Sequence, residues 1–276
     1  MTTLAPILIF VLVSAVYFLL RGGAPRGEPR SFGSTDTLDA VLAAYQAGDY
    51  DTALQLSEGL KRRGSETAEY CFFRGKSLYE IGKLEEAEAS LRQSLTLEKD
   101  KRRRALSQEA LGSVLLEQKR YTDAVACFEG CIADWPDRGC SHRAIAETGL
   151  RQGVWMAEAL RRAQKAVEID RAAHALTAEI HNVNLGMALA TLAWATAVQS
   201  RDGAEVDRLT AAAVQLGGED TKSVMSPVHC HAGLAYAALG KRDESARHFE
   251  QAAAADPRGN FGRLAQQRLA NLSSAL

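Results

Sequence analysis

The chain has 276 residues, 46% hydrophobic and 24% charged, an ordinary globular composition that excludes an intrinsically disordered protein. Its formal net charge of −1 supplies no overall attraction to nucleic acid or acidic lipid, so either kind of binding would need a local patch. The five cysteines, Cys71, Cys127, Cys131, Cys140 and Cys230, are an odd number without a disulfide framework, as expected of a reducing compartment.

The first element in chain order is LAPILIFVLVSAVYFLL, Leu4 to Leu20, which carries no charge. As a helix it would be roughly 25 Å long, close to the minimum for a hydrocarbon core of about 30 Å. Twelve of its residues are Leu, Ile, Val or Phe, and Pro6 falls in the first turn, where its missing N–H costs little. A cleaved signal peptide fits poorly, because no basic residue precedes the run and the small pair Ser14-Ala15 lies inside it. Residues 1–21 therefore read as one uncleaved transmembrane helix. Arg21, Arg26 and Arg30 follow the run, and this bias places the C-terminal side in the cytoplasm and the N-terminus outside. Residues 22–33, rich in Gly, Pro and Arg, read as a flexible tether to a folded region over 34–276.

The stretch LGSVLLEQKRYTDAVACFEGCIADWP, Leu111 to Pro136, shows the rule of that region. Counted from Ala105, Gly112 stands eighth, Tyr121 seventeenth, Ala124 twentieth, Phe128 twenty-fourth, Cys131 twenty-seventh and Pro136 thirty-second. The spacing resembles the tetratricopeptide repeat (TPR), a helix–turn–helix unit of about 34 residues whose small residues let paired helices approach closely. One further copy begins at Ser34, with Gly48-Asp49-Tyr50 in its turn, and another at Ala68, with Gly75, Gly82-Lys83-Leu84, Ala87 and Leu91 in the matching places. A fourth begins at Ser226 with Gly233, Tyr236, Gly240, Phe249, Ala252 and Pro257. Between them lie two weaker units. One, near Cys140, keeps Ala159, Ala163 and Ala166 but has Glu147 in the eighth place; the other, near Glu179, keeps Leu185-Gly186 and Leu189 and has a first helix extended through Trp194 to about Gln199. After Pro257, the residues Phe261, Leu264, Leu269 and Leu272 mark one face of a capping helix. The resemblance implies an all-α, right-handed α-solenoid of about six helix pairs with a C-terminal cap.

Stacking accounts for the consensus residues, which leaves them no chemistry. Cys127, Cys131, Cys140 and His142 lack the close C-x-x-C of a zinc knuckle, and His229-Cys230-His231 places its two imidazoles on diverging helix faces. No phosphate loop, nucleophile elbow or H-E-x-x-H motif is present. The expectation is a protein with no catalytic residues, no cofactor and no resident metal. Lys99, Lys101, Arg102, Arg103 and Arg104 form a basic cluster that could touch lipid headgroups or nucleic acid; Glu98 and Asp100 partly neutralise it, and no aromatic residue interleaves it for base stacking, so a solvated helix extension is the simpler reading.

In the family, the first helix of each pair lines the concave surface. Carried over, those positions select Leu42 and Tyr45, then Phe72, Phe73, Lys76 and Tyr79, then Leu106, Glu109, Ser113 and Leu116. Relatives that clamp acidic chaperone tails need cations here; Leu38, Leu42, Phe73, Leu106 and Ala110 stand in their places, and an apolar wall offers a carboxylate no donor. The implied partner is therefore an apolar peptide or amphipathic helix of another protein, held at the membrane, in a layout found in some bacterial inner-membrane scaffolds. Two alternatives stay open: a periplasm-facing envelope assembly factor or chaperone, and a lipid- or nucleic-acid-binding adaptor using residues 99–104, with Lys101, Arg102, Arg103 and Arg104 at its surface.

Overall fold

The structure, a computed structural model, describes residues 38–62, 67–176, 178–217 and 222–274. The apolar run Leu4–Leu20 and the tether lie outside the described residues; within them, no helix is long and apolar enough to cross a membrane. The described residues form 13 helices and no strand. In chain order these are α1 (Leu38–Gln46), α2 (Tyr50–Arg62), α3 (Ala68–Glu80), α4 (Leu84–Leu97), α5 (Lys101–Glu117), α6 (Tyr121–Asp134), α7 (Gly139–Gln152), α8 (Met156–Leu176), α9 (Ala178–Gln199), α10 (Gly203–Gly217), α11 (Lys222–Ala238), α12 (Arg242–Ala255) and α13 (Asn260–Ser274). Six pairs and a final cap agree with the repeat pattern. The chain divides into two compact units at Leu111/Gly112, inside α5.

Recurring turn chemistry joins the helices of four pairs. The N–H of Lys83 donates to the Leu78 carbonyl (2.9 Å) and that of Gly82 to the Tyr79 carbonyl (3.0 Å), a Schellman closure with Gly82 in the left-handed region (φ 83°). The same closure recurs after α1, α5 and α11, with Gly48, Lys119 and Gly240 at the left-handed position. Some helix starts are capped by an acid or a hydroxyl: Thr67 Oγ1 accepts from the Tyr70 N–H (3.1 Å), Asp100 Oδ1 from that of Arg103 (3.0 Å) and Asp202 Oδ1 from that of Glu205 (3.1 Å).

Missing side chains at the eighth place set the interhelix distance. A Cβ on Gly112 would lie 2.5 Å from the Phe128 ring, one on Gly233 2.6 Å from the Phe249 ring, and one on Gly75 2.6 Å from Leu91 Cγ. The aromatic or leucine of each second helix thus rests on the bare backbone of the first, and Phe128, Phe249 and Leu91 are fully buried.

The two weaker units depart from this plan in different ways. In the α7–α8 pair, the left-handed closure at Gly153 comes fourteenth from Cys140, where Gly82 comes fifteenth from Ala68, so the first helix is shifted by one residue, with Ala146 buried in the core alongside Ala159 and Ala163. The turn takes up the extra residue by using two left-handed positions, Gly153 (φ 77°) and the non-glycine Trp155 (φ 54°). In the next pair, α9 has 22 residues, about 33 Å of helix, ending as expected at Gln199, where Arg201 takes the left-handed position (φ 53°).

Candidate protein-binding site

Unit 1 carries most of the positions selected for the concave face. Tyr45 on α1 and Phe72, Phe73 and Lys76 on α3 come together there, all half-buried. The Phe72 and Phe73 rings meet edge to face at 5.2 Å between centroids, Tyr45 lies 6.4 Å from Phe73, and the Lys76 ammonium sits 4.9 Å above the Tyr45 ring and 5.9 Å from that of Phe72. Tyr50, which the repeat pattern assigns to the turn, extends the cluster at 5.5 Å from Tyr45. The Tyr45 hydroxyl reaches Glu80 Oε1 at 3.5 Å, the outer limit of a hydrogen bond. Tyr79, one turn beyond Lys76, is also half-buried, as are Leu106 and Glu109 on α5. Leu42, 9% exposed, belongs to the core and presents little surface.

The remaining selected positions, Ser113 and Leu116, belong to unit 2, where Ser113 is half-buried and Leu116 is 5% exposed. In this unit the first helices bury nearly everything. Residues 144–150 of α7 and 226–236 of α11 are buried without interruption. Their inner side chains make a polar network centred on Glu147. Its Oε1 accepts from Arg151 Nη2 (2.6 Å), while Oε2 lies 3.9 Å from Arg143 Nη1 and 3.5 Å from His231 Nε2. Arg151 also donates to Glu117 Oε1 on α5 (2.6 Å). Burial alone would raise the Glu147 carboxyl, but the Arg151 guanidinium, with His231 and Arg143, overrides it and holds the group well below the usual carboxylate range.

His231 is fully buried, its ring 5.6 Å from that of Trp194 on α9 and edge-on to Phe261 on α13 at 5.4 Å. The Thr191 hydroxyl donates to the Met187 carbonyl (2.9 Å), so at 2.9 Å from His231 Nδ1 it accepts that nitrogen's proton. Nε2 then lies on the side of Glu147, 3.5 Å from its Oε2, longer than an ordinary hydrogen bond. Glu147 stood out in the sequence as a departure from a small-residue place; its partners, 80 residues or more apart in the case of His231, carried no spacing signal.

The basic cluster opens α5. Lys101 and Arg102 are exposed, Arg103 and Arg104 half-buried. Arg103 Nε donates to Glu98 Oε2 (2.9 Å), and this bond raises the already high Arg103 pKa further. Glu98 Oε1 in turn accepts from the N–H groups of Lys99 and Asp100 (2.9 Å each). Glu98 thus holds one guanidinium of the cluster, that of Arg103, in a direct ion pair. Among the other flagged residues, Cys131 is in the core, Cys140 Sγ is 3.6 Å from Asn184 Oδ1, and His142 Nδ1 is 3.3 Å from Arg162 Nη1. Among the described residues, no group of three or more His, Cys, Asp or Glu is arranged to hold a metal ion. His229 and His231 diverge as their spacing requires: His231 enters the network above, and His229 Nδ1 lies 3.0 Å from His248 Nδ1 on α12.

Two tetratricopeptide-repeat profiles match the chain, one over residues 38–103 and 74–139 and the other over 226–258. These segments are tetratricopeptide repeats, a class that serves as protein-interaction scaffolds and is typically non-catalytic. Residues 140–225, which hold the shifted α7 and the long α9, lie outside both matches. Among solved structures, PilF of Pseudomonas aeruginosa has 17% identity and a TM-score of 0.53 over 84% of this chain and 95% of its own. A MamA RS-1 double mutant has 17% identity and a TM-score of 0.49 over 67% of this chain and 96% of its own. YrrB, described as a TPR protein with an unusual peptide-binding site, has 19% identity and a TM-score of 0.40 over 76% and 96% respectively. No curated protein matches the sequence. The PilF likeness establishes the fold of the described residues as an all-helical, TPR-like solenoid.

Proposed function

We propose that this protein is a membrane-anchored scaffold that holds an apolar peptide or amphipathic helix of a protein partner on the aromatic face of α1 and α3, with no catalytic step of its own. One observation carries the reading. Tyr45, Phe72, Phe73 and Tyr79 remain half-exposed on the first helices of unit 1, whereas the corresponding helices of unit 2 bury their inner residues among themselves. Rigid aromatic side chains offer large contact area for little lost rotamer entropy, which suits them to anchor a partner. Lys76, lying over two of the rings, adds a cation at the rim that can meet an acidic residue flanking the partner's apolar side chains. The anchor rests on the uncharged run Leu4–Leu20, and placement of the helical domain in the cytoplasm rests on Arg21, Arg26 and Arg30 behind it.

Affinity capture from detergent-solubilised native membranes tests the site, comparing the wild type with a Phe72→Glu, Tyr79→Glu double variant of unchanged helical melting. The expected result is a single protein captured by the wild type and lost with the variant. Capture of the same set by both would overturn the assignment of this face.

A further inference from the structure

The α4–α5 turn brings an exposed leucine and a run of cations to one place. Leu97, the last residue of α4, is 43% exposed, one of two large apolar side chains so displayed among the described residues. Lys99, Lys101 and Arg102 follow it, all exposed. In the sequence Glu98 and Asp100 stand beside them as neutralising acids, but in the structure both are engaged elsewhere. The Glu98 side chain is 6% exposed; its Oε2 accepts from Arg103 and its Oε1 from the N–H groups of Lys99 and Asp100. Asp100 Oδ1 accepts from the Arg103 N–H and caps α5. The ammonium groups of Lys99 and Lys101 meet no carboxylate among the described residues. Since the start of α5 is already capped, the attraction for anions lies in these side chains rather than in the helix terminus.

Short turns reverse the chain between successive helices, so α1, α3 and α5 of unit 1 start on one edge. Tyr45 near the end of α1 accordingly reaches Glu80 at the end of α3. Ser94, near the end of α4, donates to the Ala68 carbonyl at the start of α3 (2.9 Å) and stands 2.9 Å from the Ser107 hydroxyl of α5. Leu97 and the cations therefore share an edge with Leu38, where the chain enters from residues 22–37, a length that spans at most about 55 Å. We propose that this corner docks on the anionic lipid headgroups of the membrane that holds the anchor, the cations meeting phosphates and Leu97 entering the interface. The inference rests on the membrane-anchored reading above. Each cation close to a charged leaflet adds about fivefold to the local affinity, and a tether of this length keeps the effective concentration of the surface high. Nucleic acid would meet the same cations, but no aromatic residue stands in 97–104 to stack a base, and an exposed leucine offers nothing to a phosphate backbone.

The full-length chain reconstituted in nanodiscs tests the docking. Discs of phosphatidylcholine alone are compared with discs of equal parts phosphatidylcholine and phosphatidylglycerol, both carrying a trace of gadolinium-chelating lipid, and the Leu97 methyl resonances are followed. Paramagnetic broadening should be at least about threefold greater in the anionic discs and should fall to the phosphatidylcholine level at about 1 M salt, where the Debye length is about 3 Å. Combining Lys99→Gln, Lys101→Gln and Arg102→Gln, with helical melting unchanged, should abolish the difference. A chain incorporated into both discs with equal broadening would overturn the docking and leave the anchor standing, whereas elution of the chain apart from the discs would overturn the anchor and the docking with it. Equal broadening together with a salt-sensitive shift of the Leu97 methyls on adding a DNA duplex would give the corner to nucleic acid instead.

Discussion

Glu147 occupies a place where the repeat pattern calls for a small side chain, and it survives there because the helix has moved by one residue. Ala146 beside it is buried in the core, and Glu147 is met in the interior of unit 2 by Arg151, Arg143 and His231. A buried carboxylate is tolerated only while its countercharges are held against it, and removing the charge takes from the Arg151 guanidinium the more deeply buried of its two carboxylates. Glu147→Gln is expected to destabilise unit 2 by about 3 kcal/mol, measured by urea denaturation followed through the fluorescence of Trp194, whose indole packs on the His231 ring. A loss below about 1 kcal/mol would mean that Arg151 finds full compensation in Glu117 alone.

Elements in this molecule are spaced by what is missing from them. At Gly233 the first helix has no side chain, and the Phe249 ring of its partner fills the space. Gly233→Ala should therefore cost about 1–3 kcal/mol, as overpacking does in a dense core. Phe249→Leu should also destabilise the fold, by leaving a cavity. Combined, the two should cost less than their sum by at least about 0.5 kcal/mol, because the smaller partner makes room for the added methyl; strict additivity in thermal melts of the four proteins would show that the two residues do not oppose each other. These contacts were legible in the sequence because Gly and Phe recur at a fixed offset. So were the six pairs, the cap and the length of α9. Two local features were not. The shift of α7 is absorbed by Trp155 in a left-handed conformation, which no propensity favours, and the His229–His248 contact depends on two helices whose relative rotation the repeat pattern does not specify at those places.

Seen as a whole, the chain joins a folded helical region to an apolar run whose flanking arginines argue for a cytoplasmic domain. A reporter active only outside the cytoplasm, fused after Leu276, should remain silent, and the chain should stay with the membrane through an alkaline wash; strong reporter activity, or release into the wash, would sink the placement or the anchor respectively. Of the proposed binding face, the partial exposure of Tyr45, Phe72, Phe73 and Tyr79 on α1 and α3 follows from repeat register, since each depends on the face of one helix. Leu42 and Leu116 satisfied the same register yet lie in the core, because register fixes a side chain's direction but not how closely the next helix covers it.

The contact between Glu147 and His231 has a bearing on how such a chain can change. Repeats that touch only their immediate neighbours can be duplicated or lost one at a time, since each join restores the same interface. Here the partner of α7 is α11, reached past Thr191 and Trp194 of the intervening α9, so three successive helix pairs share one buried polar cluster. Excision of the α9–α10 pair would remove the Thr191 acceptor that orients His231, and insertion of another pair would carry His231 away from Glu147. A change in the number of pairs here would therefore break a contact that no neighbouring join restores, unlike a change among the regular repeats.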